Sequence, residues 1–301
     1  MAVRVWKGTH DDQFGNWAVD ANWLDEDGDA ATKPTADDDV YFTTGSQDVQ
    51  ADTVDDLDAL DSLNFGTKWT GSFVAVVNPT TGVTTTDTLT AATINADVLD
   101  YANKLGAVAL DGDFTTVNVQ ATSTDSPALK LVNCGITTLR IVGGSGTVLL
   151  SGSTTVSGDV DMIGCKSVRL EVESGATVSA ADLTIDSGRL VSYEQWDTMV
   201  IFGGTVEMSN ADGTTNSITM YEGVCKYKPT AGAVLTTLEA FGGFFDMRGC
   251  NSPSHTITNT TLYAGSMIDE RNGLSNTIYQ NPILVNGGII KCDMSRDVTV
   301  T

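Results

Sequence analysis

One unit recurs along the last two-thirds of this 301-residue chain. It is a short strand of alternating apolar and polar residues, a glycine or small polar corner, then a second short strand. It reads VNVQATSTDSPALKL from Val117, LRIVGGSGTVLL from Leu139, VDMIGCKSVRLEV from Val160 and LTIDSGRLVSY from Leu183. VIFGGTVEM from Val200, ITMYEGVCKYK from Ile218, LEAFGGFFDM from Leu238, LYAGSMID from Leu262 and LVNGGIIKCDM from Leu284 continue it. The starts lie 17 to 24 residues apart. That length suits one turn of a β-solenoid made of two or three short strands and their corners.

Alternation puts Leu139 and Ile141, or Val160 and Met162, on one face, where equivalents in neighbouring coils would stack. Corners such as Gly143-Gly144, Gly203-Gly204, Gly242-Gly243 and Gly287-Gly288 supply positive φ without steric cost. The expected fold is therefore all-β, a parallel β-solenoid (β-helix) of about nine short coils over residues 117–301. Leu139, Val160, Leu183, Ile218, Leu238, Leu262 and Leu284 should point inward. Residues 78–116 read as transition strands, and a β-sandwich with hairpins at similar spacing is the alternative.

Residues 1–77 differ in character. Four of the five tryptophans (Trp6, Trp17, Trp23, Trp69) lie here with Phe14, Phe42, Phe65 and Phe73. Large aromatics give a small module the buried area it needs. Spacing of Val54, Leu57 and Leu60 predicts one short helix within 53–63, before a strand ending at Phe65.

The chain carries 39 Asp and Glu against 16 Lys and Arg, a net charge of −23, and residues 1–129 hold 22 of the acids against 5 basic residues. Such a field repels phosphate backbones and anionic membranes, so neither nucleic acid nor membrane is an expected partner. No apolar leader follows Met1 and no run of 18 apolar residues exists, so neither a signal peptide nor a membrane span is read. The five cysteines lack any CxxC pair and read as free, buried thiols.

The order W…NW…P…DDVxF…LxF…G is carried by Trp6, Trp17, Asn22, Trp23, Pro34, Asp38, Asp39, Val40 and Phe42. It resembles the opening module of bacterial secreted β-solenoid proteins, autotransporter-type passengers among them, and the start of some phage virion proteins. The resemblance is confined to the N-terminal module and implies architecture more than activity. An acidic solenoid without a leader fits the phage class better, as a capsid decoration or cement protein.

Enzyme signatures are scarce. The sequence has no GxxxxGK[ST], HExxH, GxSxG or GxGxxG, and its two histidines, His10 and His255, lie far apart. Asp159 with Asp161, and Glu171 with Glu173, are i, i+2 pairs of the kind a glycosidase could use as acid and base. Their apolar neighbours make them equally the solvent face of a half-buried strand. Asp25, Asp27 and Asp29 have the DxDxD look of a calcium loop, but Gly28 falls at loop position 4 and no Glu follows at position 12.

No cofactor is expected, and the expected function is non-enzymatic. The chain reads as a virion structural protein, a capsid decoration, cement or head-protrusion subunit on the capsid exterior, assembled in the host cytoplasm. Its expected partners are the major capsid protein or another shell protein, and its own copies as a homotrimer. Trp6, Phe14, Trp17, Trp23, Phe42 and Trp69 are the candidate docking residues, sharing that role with capping the solenoid end. A tailspike-like receptor-binding or glycan-cleaving protein, and a surface adhesin, are the alternatives.

Overall fold

A computed structural model describes residues 2–8, 14–54, 59–77, 84–102, 106–120, 127–211, 213–248, 250, 254–271 and 276–292. The fold is all-β, with parallel strands stacked as a β-solenoid of about ten turns and an N-terminal β module built on an aromatic cluster. Two compact units divide the chain, Met1–Thr155 and Val156–Thr301. Among the described residues no helix is long and apolar enough to cross a membrane.

In the first unit the parallel ladder is running long before residue 117. Asp39–Gly45 pairs with Leu60–Trp69, which pairs with Ala96–Tyr101, then Phe114–Val119, then Gly135–Val142. A second sheet stacks Ala91–Thr93, Val108–Asp111, Leu129–Val132 and Ser145–Ser151, also in parallel. Residues 91–101 and 108–116 thus supply strands of the regular stack. The helix expected within 53–63 falls largely on residues 55–58, outside the described residues, and the residues flanking them are not α-helical. A single 3-10 turn occupies Ala51–Thr53, and Leu60 already opens a strand that runs on to Trp69. Leu60 and Leu63 gain complete burial as strand residues, which outweighs a helical spacing of three positions.

The N-terminal aromatics assemble around Phe42. Its ring centroid lies 4.8 Å from those of both Phe65 and Trp69, and 5.8 Å from that of Phe73. Trp23 packs edge-on against Trp6 at 4.9 Å and Trp17 at 4.6 Å, and its Nε1 donates to the Trp17 carbonyl at 2.8 Å. The chain start is tied down by Asp38, a buried carboxylate. It accepts from the Ala2 and Thr35 N–H groups and the Thr35 hydroxyl, each at 3.0 Å, and faces Arg4 at 3.5 Å. A buried carboxylate persists only when satisfied in this way.

In the second unit one sheet stacks Asp159–Ile163, Asp182–Ile185, Thr198–Ile201, Thr214–Met220, Val234–Ala240 and Ser254–Tyr263 in parallel register. Asn276–Tyr279 and Leu284–Asn286 pair with its last long strand. The other sheet stacks Ser167–Val172, Arg189–Ser192, Thr205–Ala211, Val224–Pro229, Gly243–Asp246, Ser266–Asp269 and Ile289–Lys291.

Leu139, Val160, Leu183, Ile218, Leu238 and Leu262 are all buried, as alternation requires. Leu284 is corrected: it is 55% exposed. Leu262 pairs with Val285, which sets Leu284 opposite Thr261, but Val285 is itself 46% exposed, so this end strand buries neither residue. Val200 pairs with Thr184 and faces out, while Met199 stacks on Leu183. A slip of one residue sends every side chain of a strand to the other face.

Candidate interaction surface

The six aromatics expected to dock a partner are mostly interior. Trp17, Trp23, Phe42 and Trp69 are fully buried, Trp6 is buried, and only Phe14 is half-exposed. The five buried rings spend their faces on one another and on Phe65 and Phe73, so those five stabilise the first unit and offer no docking surface. This corrects the expected site. The resemblance residues Asn22, Asp38 and Val40 are buried too, so that sequence order marks a structural core.

Asp25, Asp27 and Asp29 form a tight turn rather than a cation cage. Asp25 Oδ1 accepts from the Asp27 and Asp29 backbone N–H groups, and the turn closes on the positive φ of Gly28. Among the described residues no group of three or more His, Cys, Asp or Glu side chains could hold a metal ion. Of the paired acids, Glu171 is held by Arg169 at 3.1 Å, and Asp159 and Glu173 are exposed. Cys134, Cys165, Cys225 and Cys250 are buried free thiols and Cys292 is half-buried; burial pushes the Cys134 thiol up to about 12, away from reactivity.

What the second unit does present is a column of stacked rings. Phe202, Tyr221, Phe241 and Tyr263 occupy the same corner of four successive coils. Their centroid separations are 4.9, 5.1 and 4.5 Å, and their planes are within 6° to 8° of parallel. The separations match the roughly 4.7–4.9 Å spacing of hydrogen-bonded strands, so the backbone ladder sets the stack. Phe202, Tyr221 and Phe241 are 49%, 42% and 37% exposed, high for large apolar side chains. Ring faces are turned toward one another and edges toward solvent. A sugar stacks on an open ring face, so this column is poorly shaped for glycan.

The column is built by a local rule. Each ring is followed two residues later by glycine: Gly204, Gly223, Gly243 and Gly265, all at positive φ. A Cβ at Gly223 would lie 2.7 Å from the Gly204 carbonyl oxygen, and one at Gly243 would lie 2.8 Å from that of Gly223. Those carbonyls accept from Val224 N–H at 3.0 Å and Phe244 N–H at 2.9 Å, so they cannot retreat. Gly223→Ala is expected to cost about 1–3 kcal/mol, the range for a non-glycine residue forced into a left-handed conformation. Urea unfolding followed by circular dichroism measures it; an unchanged midpoint would mean that the corner relaxes freely.

The two flanks of this corner carry different charge. The strands on its first side, Asp159–Ile163 to Leu284–Asn286, bear Asp159, Asp161, Asp182 and Glu239 and no Lys or Arg. At the corner itself Asp186 lies in register below Phe202, and Glu222 follows Tyr221. On the other side the strands bear Arg169, Arg189, Lys226, Lys228 and Lys291 against Glu171, Glu207, Asp246 and Asp269. Arg248 and Arg271 fold back onto the last two carboxylates at 2.9 and 2.7 Å. Those guanidiniums hold the Asp269 carboxyl down at about 2 and lower that of Asp246. The strands of that flank thus carry five cations against four carboxylates, with Arg248, Arg271, Glu173, Glu194 and Glu270 just past their ends, while the strands of the other flank carry no Lys or Arg.

Comparison with family models, with characterised proteins and with solved structures returned no match, and the surface is read on its own geometry. Sequence reasoning marked these corners for their glycines and passed over the rings beside them. The signal was present: FGG, YEG, FGG and YAG recur at one phase of four successive coils.

Proposed function

We propose that this protein is a non-enzymatic structural component of a larger assembly, of the class that decorates or cements a virion shell from outside. The observation that supports this reading is the solvent-facing aromatic column Phe202–Tyr221–Phe241–Tyr263 on a rigid parallel stack. Exposed contiguous apolar surface marks sites of association, and aromatic residues are enriched there. The stack needs no chemistry to act. It lends a preorganised surface whose burial in the assembly stabilises the assembled form by mass action.

An antibody against the purified protein, applied to intact particles from its source and viewed by electron microscopy, should decorate head exteriors. Absence of label from every particle overturns the proposal. Purified protein incubated with bacterial capsular polysaccharide should release no reducing ends. Release that is lost on replacing Asp159 and Asp161 would place it among tailspike-like enzymes instead.

A further inference from the structure

The aromatic column ends on a bare ring face with a carboxylate beneath it. Phe202 is the lowest ring and the most exposed, and among the described residues only Tyr221 stacks on it. At the other end Tyr263 pairs with Asn286 and is half-buried. The rung beneath Phe202 is Asp186. Phe202 N–H donates to the Ile185 carbonyl at 2.8 Å, the same link that joins Tyr221 to Ile201 and Phe241 to Met220. Asp186 therefore stands where the next ring would be, about 4.7–4.9 Å below Phe202. Its side chain ends closer to the backbone than the ring above it. Ile163, half-exposed, takes the rung below that, because Asp186 N–H donates to the Met162 carbonyl.

The carboxylate is held in place. Its Oδ1 accepts from the Gly164 N–H at 2.7 Å and from the Ser187 hydroxyl at 2.6 Å, and among the described residues its Oδ2 has no partner. Arg189 and Lys226, the cations on the coils nearest Phe202, are drawn to Glu207 at 3.1 and 3.5 Å. Among the described residues no cation pairs with Asp186. A second carboxylate, Glu222, is exposed on the coil of Tyr221, with Gly203 and Gly242 in register on either side. The net charge of −23 adds a field that draws cations to the surface.

A ring face with a fixed carboxylate one rung below is complementary to a flat cation. A guanidinium lying in the plane of the Asp186 rung pairs with the carboxylate and stays within about 6 Å of the Phe202 ring, the range of cation–π attraction. Arginine suits both contacts, since its planar head stacks on aromatic faces and is weakly hydrated; the lysine ammonium is a compact, strongly hydrated point charge. A neutral sugar would use the ring and leave the carboxylate unused.

We propose that the foot of the column binds an arginine side chain presented by a partner protein, its guanidinium stacked under Phe202, above Ile163, and paired with Asp186. This inference rests on reading the column as an assembly surface and names the chemistry of the partner's anchor. Particle labelling and peptide binding are measured separately, so either can fail without the other.

The probe is the blocked tripeptide Gly-Arg-Gly, titrated at millimolar concentration into the purified chain at low salt and followed by proton NMR of the peptide. The arginine methylene next to the guanidinium should move upfield and saturate, the mark of a ring face above it. Gly-Lys-Gly, and the neutral citrulline analogue, should bind about fivefold more weakly or less tightly still. Asp186→Asn should weaken the arginine peptide by a similar factor. Phe202→Leu should abolish the upfield shift and the preference over lysine, while Phe202→Tyr keeps both. Asp159→Asn, an exposed carboxylate elsewhere on the sheet, should change nothing. Both site residues are exposed, so thermal melts should match the wild-type chain. Equal binding of the lysine peptide, an absent upfield shift, or binding that survives both Asp186→Asn and Phe202→Leu overturns the proposal, as does no binding at millimolar peptide.

Discussion

Trp23→Ala should unfold the first unit at a urea concentration far below that of the wild-type chain. The indole is fully buried, contacts Trp6 and Trp17 edge-on and anchors its Nε1 on the Trp17 carbonyl. Truncating a buried aromatic to alanine removes its transfer free energy and leaves a cavity, together about 3–5 kcal/mol. Domains of this size are stable by about 5–15 kcal/mol, so this one change consumes much of the margin. Tryptophan fluorescence is a fitting probe, since four of the five tryptophans lie in this unit. Trp23→Phe should recover part of the loss by refilling most of the cavity. A loss under about 1 kcal/mol would mean that the cluster tolerates a void, contrary to close-packed interiors. The experiment also separates two roles. Particle binding that survives in a folded Trp23→Phe variant argues that the cluster acts through stability, not contact.

Acid should weaken the second unit in a pH range where carboxylates are still ionised. His255 is buried beside the Tyr227 ring at 6.2 Å, its Nε2 shares a hydrogen bond with the Thr277 hydroxyl, and its Nδ1 has no partner. Burial pushes its pKa from 6.5 down to about 4. The folded state therefore holds the neutral ring while the unfolded chain takes up a proton below 6.5. Stability is fully present above pH 6.5, falls as pH drops toward 4, and levels off below that. The gap corresponds to about 3 kcal/mol at roughly 1.36 kcal/mol per pH unit. Asp269, held down at about 2 by Arg271, loses its contribution only at lower pH, between about 4 and 2. Urea titrations at pH 7, 5 and 4 should show the first loss. His255→Gln should be less stable at pH 7 yet flat between 6.5 and 4. A wild-type curve already flat across that range would show that the ring reaches solvent.

The sequence on its own determined the class of fold and the interior of most coils. Period-two alternation around Leu139, Val160, Leu183, Ile218 and Leu238 leaves one way to bury an apolar face, and glycine at each corner lets the chain turn without strain. These signals are local, so they survive without knowledge of neighbours. Tertiary structure alone decided register, burial of the tryptophans and the nature of the surface. The step along the chain from Leu183 to Met199, which stacks on it, is shorter than the step from Ile218 to its own partner Leu238. Corner length varies, so counting residues placed Val200 and Leu284 one position out, and hydrogen bonding between coils fixed the true pairing. A tryptophan-rich stretch reads alike whether its rings face solvent or each other; only the packing of Phe42 against Phe65, Trp69 and Phe73 turned that surplus inward. The rings at Phe202, Tyr221, Phe241 and Tyr263 became a surface because coils of unequal length still bring one position of each into line, about one strand spacing apart.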